Sequence, residues 1–563
     1  LDLGKGTSYM APAGEIQNIL IKIWEDVLGA ENIGTDHDFF ELGGDSIKSI
    51  QIASRLRKHK LFMDVRDLFE NPTIDGLSPY IKPLEREIFQ GTVTGHTALN
   101  PIQKDFFARN LTDMHHYNQA VMLHNKKGFD ENLVMKVFEK IVGHHDALRM
   151  VFMMDGDSVT QYNRGLEGKL FDIDIFDFTG ENNPDNLVRE EASKIQGGID
   201  LKEGPLVKLG LFKTIDGDHL LICIHHLVVD GVSWRILLDD FILAYEQSMN
   251  NEEIEFQLKT DSFKDWCDKL QLYADSKKAL EDKEYWKAME NREFGKLPCD
   301  HDNTDGRRKD LKVMTLELDE KNTGNLMKDA NNAYNTQIND LLLAALGLSI
   351  GKWTGSDNVL IGMEGHGREN ILEDMDITRT IGWFTSLYPV ILDVSRREDI
   401  ARTIKLVKEN LNSIPHNGVG YGILKYVTQY ENKEDIEFSL NPELVFNYLG
   451  EFGQDSGEND IIDISNLSSG DSASENMEIK YSLEIVGELS DGRLNFNFYY
   501  DSSKFDSSTI ERIIEDYRAN LLMIADHCLE REGTEITPSD LTSKGLSIDD
   551  LDNIFEILED KFN

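Results

Sequence analysis

The stretch from His219 to Trp234 limits the fold more than any other part of the chain. Leu220 to Ile224 is a continuous apolar run with β-branched members, which reads as a short strand covered on both faces. The run delivers two adjacent histidines, His225 and His226. Neighbouring side chains of an extended chain point to opposite faces, so only one of them can face a given cavity. Asp230 follows four residues after His226, and Gly231 allows a bend. Ser233 is expected to cap a helix over 234–245, with Ile236, Leu237, Phe241 and Ala244 inward. An imidazole at a strand end, backed by a carboxylate on the next turn, is a candidate general base.

A chain of 563 residues exceeds one hydrophobic core and implies about three domains. With 58 Lys and Arg against 102 Asp and Glu, the formal charge is −44. Such a surface excludes sequence-independent binding to nucleic acid or an anionic membrane, which needs a basic face. Cys223, Cys267, Cys299 and Cys528 lie far apart, without a C-x-x-C spacing. They point to a reducing, cytoplasmic location, and neither they nor the histidines and acids show a metal-ligand spacing, so no metal site is expected. No apolar segment reaches the roughly 18–20 residues that span a bilayer. Leu1 to Gly6 reads neither as a signal peptide nor as a usual start, so the expectation is a piece of a longer chain.

Residues 1–12 read as a linker. Ile16, Ile19, Leu20, Ile23, Trp24, Val27 and Leu28 repeat at helical spacing, and Gly29 closes the helix. A second helix carries Ile47, Ile50, Ala53 and Leu56 inward, a third covers 65–69, and a fourth holds Ile74, Leu77 and Ile81, with Pro79 as an irregularity. Four helices within 13–82 make a small bundle. Residues 83–98 form a connector long enough to let the bundle move.

The remainder alternates strands and helices. Strands are expected at 117–123, 158–163, 169–176, 207–212, 313–318 and 359–363. Helices are expected at 133–142, 187–195, 263–270 and 280–287, with another, buried, capped by Thr336 or Asn339. Residues 300–310 are polar enough for a junction, and 451–480 read as an exposed loop of disorder-prone composition. Residues 481–488 and 493–500 pair across Asp491-Gly492, and 508–527 form a long amphipathic helix. At the end, Ser547 and Asp550 make a capping box before a stripe of Ile548, Leu551, Ile554, Phe555 and Leu558.

Phe39-Phe40-Glu41-Leu42-Gly43-Gly44-Asp45-Ser46-Ile47 resembles the F-x-x-L-G-G-D-S signature of peptidyl carrier proteins. The resemblance implies 4′-phosphopantetheine, covalently held by Ser46. A serine in the first turn of a helix suits a phosphodiester, because free N–H groups and the dipole favour the anion there. The glycines would let a modifying enzyme approach the backbone. The bland reading is a loop with an N-cap, but the whole surrounding bundle matches the carrier pattern.

His225 to Gly231 resembles the H-H-x-x-x-D-G core of the condensation-type domains of nonribosomal peptide synthetases. Five further stretches resemble, in order, the motifs of the epimerization branch: Pro101 to Phe107, Glu364 to Glu369, Arg379 to Thr385, Pro415 to Gly422 and Phe446 to Gly450. One departure is Phe106, where an aromatic Trp is usual. The resemblance implies an α/β (α+β) chain with a four-helix carrier bundle and a two-lobed, chloramphenicol-acetyltransferase-like domain. The lobes would cover 99–290 and 291–540, with a C-terminal docking helix at 541–563.

It also implies proton transfer at Cα of a carrier-bound aminoacyl or peptidyl thioester. His226 and Glu364 would stand on opposite sides of Cα, with Tyr448 assisting at the enolate or relaying protons. His225 would be packed and hydrogen-bonded. Asp230 would pair internally, with Arg235 or Arg149, and Ser233 would support the turn. His144-His145 lacks the strand–turn setting and reads as structural, and His366 reads as loop geometry. The expected partners are an upstream adenylation domain, a phosphopantetheinyl transferase and a downstream condensation domain met through the terminal helix. The alternatives are a condensation domain forming an amide bond with the same His226, and a non-catalytic docking module.

Overall fold

The computed structural model describes residues 10–84, 87–156, 158–303, 305–372, 374–451, 462–541 and 546–554. The helical repeat near the start folds as Glu15–Leu28, with Leu20, Ile21, Ile23, Trp24, Val27 and Leu28 buried and Gly29 in the left-handed region at φ 62°. Three helices follow at Ser46–Leu56, Val65–Glu70 and Ile74–Leu77. Pro79 turns the last of these into a single 3-10 turn, Ser78–Tyr80. The bundle closes on Phe39, fully buried and 5.2 Å from the Trp24 ring. A Cβ on Gly44 would meet the Phe39 ring at 2.5 Å, so packing at this position requires a glycine.

The run from Leu220 to Ile224 is 0% exposed and forms the strand Gly217–His225, third of five in its sheet. The order is Asp463–Ile464, Asn118–Asn125, Gly217–His225, Val207–Thr214, Asp172–Asp177, antiparallel except for the last pair. Helix Gly231–Met249 follows directly, longer at both ends than its apolar pattern indicates.

A second lobe is built on six strands, Leu311–Glu317, Arg493–Asp501, Leu483–Ser490, Leu444–Glu451, Asn358–Gly365 and Ser386–Asp393, in that spatial order. The hairpin turn is Asp491 at φ 50° and Gly492 at φ 73°, the positive pair a two-residue turn needs. Helix Ile338–Thr354, apolar all round, is buried in this lobe. Its cap is Gln337 paired with Asp340, not Thr336 or Asn339. The helix expected at 280–287 breaks into Lys277–Leu280 and Lys283–Glu290.

Two polar segments differ from their sequence reading. Within 451–480, Asp463–Ile464 crosses to the first lobe and becomes its edge strand against His124 and Leu123. An edge strand on one face of a sheet needs only short pairing, which composition does not reveal. The connector is tied down from Gln90 onward: Gln90 exchanges hydrogen bonds with Lys259, and Gly95–Thr97 pairs with Ser158–Asn163.

The bundle rests on the large domain through helix Ser46–Leu56. Ile50 joins the first lobe's core and Ile47 packs against it, beside Val232 and Ile236. Arg57 pairs with Asp376, and Asn370 Nδ2 donates to Asp64 Oδ2 at 2.7 Å. At the other end, the Ser547–Asp550 capping box forms and residues 548–554 are helical. Ile548 and Leu551 are buried, while Asp549 and Asp552 pair with Arg402. The described part of the expected docking helix thus packs within the chain. Phe555 and Leu558 lie outside the described residues.

Candidate active site

The alternation along the central strand separates the two histidines. His225 is fully buried; its Nε2 meets Met114 O at 2.9 Å and its Nδ1 accepts from Leu227 N at 3.1 Å. Burial takes its pKa down to about 3, so this ring is a neutral packing element.

His226 opens a 3-10 turn, and its Nδ1 lies 2.8 Å from Val229 O. A carbonyl can only accept, so Nδ1 carries the proton and Nε2 holds the lone pair. Gln119 Nε2 lies 3.1 Å from that lone pair, and Trp234 Nε1 donates to Gln119 Oε1 at 2.8 Å, which turns the amide nitrogen toward the imidazole. The ring stacks on Tyr117 at 5.4 Å and meets Trp383 at 4.4 Å. Burial lowers its pKa, against the hydrogen bond to Val229 and the charge of Asp230, so the ring is neutral at neutral pH.

Asp230 caps helix Gly231–Met249 by accepting from Ser233 N at 2.7 Å. Ser233 is therefore not the cap. Its hydroxyl instead donates to Gly382 O at 2.9 Å and accepts from Gly382 N at 3.1 Å. The partner of Asp230 is Arg368, at 3.2 Å, and Phe384 N donates to the second carboxylate oxygen at 2.9 Å. Arg149 pairs with Asp146 and donates to Val142 O, Gly143 O and Val93 O. The expected pairing of Asp230 with Arg149 or Arg235 gives way to Arg368, which also donates to Ile377 O and Thr380 O and lies over the Phe384 ring. Thus the turn after His226 is anchored by residues about 140–150 positions later in the chain.

Glu364 sits near the end of strand Asn358–Gly365 in the second lobe. Asn447 Nδ2 donates to its Oε2 at 2.9 Å. Burial, reinforced by Glu484 and opposed by Lys480 and Arg109, pushes its carboxyl up to about 7. Arg109 acts on His226 as well. The Tyr117 phenol is raised by burial first, then lowered by Arg109 and raised by Glu364. Tyr117 and Arg109 therefore link the surroundings of the two groups. A cavity of about 350 Å³ lies alongside, walled by Asn100, Asp105, Arg109, Thr385, Tyr388 and Lys480 among others. Its walls include neither His226 nor Glu364; it reaches Glu364 through the charges of Arg109 and Lys480.

Tyr448 does not share the Asn447 position. Adjacent side chains on a strand alternate, and the Tyr448 hydroxyl donates to Met327 Sδ at 3.6 Å on the second lobe's core. That placement argues against its expected part at the enolate. Gln119, Asn447 and Arg368 were missed as partners. Asn447 and Arg368 stood inside quoted motifs; Gln119 carried no signal beyond lying on a strand.

Ser46 is the first residue of its helix, and Asp45 Oδ1 accepts from Ile47 N and Lys48 N, both at 2.8 Å. Among the described residues the Ser46 hydroxyl makes no hydrogen bond. A Cβ on Gly450 would lie 3.2 Å from Asp45 Oδ2, which places the start of this helix beside the end of strand Leu444–Glu451. A hydroxyl at a helix start fits a phosphopantetheine attachment point.

Residues 93–547 match the family model described as Condensation domain, and residues 18–81 match that described as Phosphopantetheine attachment site. Gramicidin S synthase 1 of Brevibacillus brevis is 44% identical over 569 residues, covering 100% of this chain and 52% of that protein. Tyrocidine synthase 1 of Brevibacillus parabrevis is 41% identical, over 98% of this chain and 51% of its own length. The chain thus spans about half the length of these two relatives. Among solved structures, the epimerization domain from the third module of tyrocidine synthetase B is 45% identical, with a TM-score of 0.76, covering 79% of this chain and 100% of that one. A condensation domain from the polyketide synthase MokA, at 16% identity and a TM-score of 0.61, shares the fold. The chain belongs to the condensation-domain family and joins such a domain to a carrier with a phosphopantetheine attachment site, the arrangement of a nonribosomal peptide synthetase.

Proposed function

We propose that the chain epimerizes an L-aminoacyl or peptidyl group carried on Ser46, with His226 and Glu364 exchanging protons with Cα. The observation that carries this reading is the pair itself. A neutral imidazole with its lone pair at Nε2, met by the Gln119 amide, and a carboxyl held near 7 share the field of Arg109 at the ends of strands from two lobes. An acid and a base with matched resting states are what proton removal and return require. Amide-bond formation would use His226 alone and give the tuned Glu364 no task. The likeness to a tyrocidine epimerization domain supports the same choice.

Phosphopantetheine on Ser46 would present the acyl group as a thioester, which acidifies Cα. In the resting pair His226 is the neutral base and Glu364 the protonated acid. His226 Nε2 takes the proton, with Gln119 and Val229 holding the ring. Glu364 returns one from the other side, with Asn447 orienting its carboxyl. The roles then reverse, so both epimers form. A phosphopantetheinyl transferase, an adenylation domain that loads Ser46 and a downstream condensation domain are the partners this chemistry needs.

The test is exchange in D2O on the full chain, with Ser46 loaded as an L-aminoacyl pantetheine. Deuterium at Cα together with D-enantiomer is expected. Glu364→Gln is expected to slow exchange by about 100- to 10,000-fold while leaving loading unchanged. Absence of exchange in the parent chain would refute the reading.

A further inference from the structure

His219 lies at the opposite end of the strand from His225, roughly 20 Å away at the rise of an extended chain, and takes no part in the chemistry above. It is cross-strand partner to His124, and the two rings stack with centroids 4.4 Å apart. Asp216 sits beside them in the turn between strands Val207–Thr214 and Gly217–His225. One ligand atom from each of His124, Asp216 and His219 falls within 4.8 Å of the others. The turn closes this tightly because residue 217 is glycine at φ 132°, where a Cβ would meet Asn125 O at 2.5 Å and His124 Nε2 at 2.9 Å.

The second observation is an orphaned ring nitrogen. His219 is 3% exposed, and among the described residues its buried Nε2 makes no hydrogen bond. Asp216 Oδ1 lies 3.7 Å from it. A buried polar atom without a partner is costly, and an unexplained one points to an ion or a water. The other nitrogen, Nδ1, is held at 2.7 Å by Ser465 Oγ. When Nδ1–H donates to that hydroxyl, Nε2 is left as a lone pair facing Asp216, the orientation that an outer hydrogen bond gives to a ligating histidine. His124 Nε2–H donates to Asp216 O at 3.1 Å, on the same side of the turn, which leaves Nδ1 as the ligating atom of that ring.

We propose that His124, Asp216 and His219 bind a divalent transition-metal ion of the zinc class, with Ser465 fixing the His219 ring. Two imidazoles and a carboxylate suit zinc, whose bonds to such ligands are about 2.0–2.2 Å. Because an imidazole lone pair lies in the ring plane, ligation requires the half-buried His124 ring to turn out of its stack on His219 and the exposed Asp216 side chain to close in. Sequence spacing conceals the set, because His124 is brought in by strand pairing and not by proximity along the chain. The ion does more than fill a gap. Ser465 immediately follows the edge strand Asp463–Ile464, which reaches this sheet from the second lobe. Metal binding therefore clamps the crossing segment, the Thr214–Gly217 turn and the two central strands together.

The test uses the tag-free full chain, stripped with chelator and titrated with zinc and, separately, with cobalt, whose visible absorption reports a nitrogen–oxygen site. One ion per chain is expected, with a rise in Tm on zinc addition. Asp216→Ala and His124→Ala are expected to abolish the cobalt spectrum and the zinc-dependent Tm rise. Both side chains also make contacts without metal, so each variant is compared with its own metal-free Tm and only the zinc-dependent rise is read. Ser465→Ala is expected to bind about 10- to 100-fold more weakly. No stoichiometric binding by the parent chain, or unchanged binding by both ligand variants, would overturn the proposal. Proton exchange at Cα is expected to continue in all three variants, which keeps this outcome separate from that of the catalytic reading.

Discussion

His226 and Glu364 are both half-buried, yet desolvation acts on them in opposite senses. Burial disfavours charge, so it lowers the imidazole below its ordinary value and raises the carboxyl to about 7. The two shifts converge, because below pH 7 both groups favour their neutral forms. Their supports differ. His226 is held by a turn whose anchor, Asp230, is clamped by Arg368 and Phe384, whereas Glu364 is held by its own strand and one amide, Asn447. The comparison teaches that a low-dielectric site can poise an acid and a base together without any ion pair between them, while the ionic bond that positions the base is placed one turn away.

The largest effect should come from breaking that remote support. Asp230→Ala leaves the Arg368 guanidinium buried and unpaired, and removal of one partner of a buried pair costs about 3–5 kcal/mol. Chemical denaturation should show that loss. Asn447→Ala, which removes one hydrogen bond to a carboxyl, should cost about 1–2 kcal/mol. Equal losses at the two positions would remove the contrast between the supports.

Glu364→Gln sharpens the burial argument. An ordinary glutamate titrates at 4.5, and Glu364 at about 7. The folded state binds its proton more tightly than the unfolded one. The parent chain therefore loses stability as pH rises from 4.5 through 7, and Gln, with no charge to bury, does not. The variant should match the parent at low pH and exceed it at high pH by about 1–3 kcal/mol. Melting curves of both chains across that range would measure the difference, and a parallel pH dependence would contradict it.

The pH profile of exchange tests the pair as a unit. One proton shared between His226 and Glu364 is needed in either direction. Exchange should fall above pH 7 as Glu364 loses that proton, by about tenfold per pH unit. It should also fall at low pH, below the ordinary histidine range, as His226 gains a second one. A rate that keeps rising through pH 8 would mean that Glu364 is not the acid.

Much of this was legible in the sequence. The apolar run at Leu220 to Ile224 reads as an interior strand, and alternation at its end lets only one of the two histidines face a given cavity. The Asp491-Gly492 turn and the amphipathic bundle were equally readable, because local spacing determines them. What was not legible is pairing at a distance. Asp230 had two nearer arginines to choose from, and the lobe closure selected Arg368. Tyr448 stood beside Asn447 in one motif, and only the strand's register shows which of them turns toward Glu364. The polar stretch containing Asp463–Ile464 looked like loop because its order depends on another lobe's sheet edge.

The smallest effect concerns Gln119, which had no sequence signal at all. Its amide meets the His226 lone pair and is oriented by the Trp234 indole, so it favours the neutral ring. Gln119→Glu keeps the side-chain length but replaces an N–H donor with a carboxylate oxygen. A negative charge at that distance favours the protonated imidazole and raises its pKa. The low-pH limb of the exchange profile should therefore move upward, while the limb set by Glu364 stays near 7. Exchange near pH 7 should fall by only a few-fold, roughly what a pKa change of under one unit produces. If the whole profile dropped without a change of shape, Gln119 would be a packing residue and not one that positions the base.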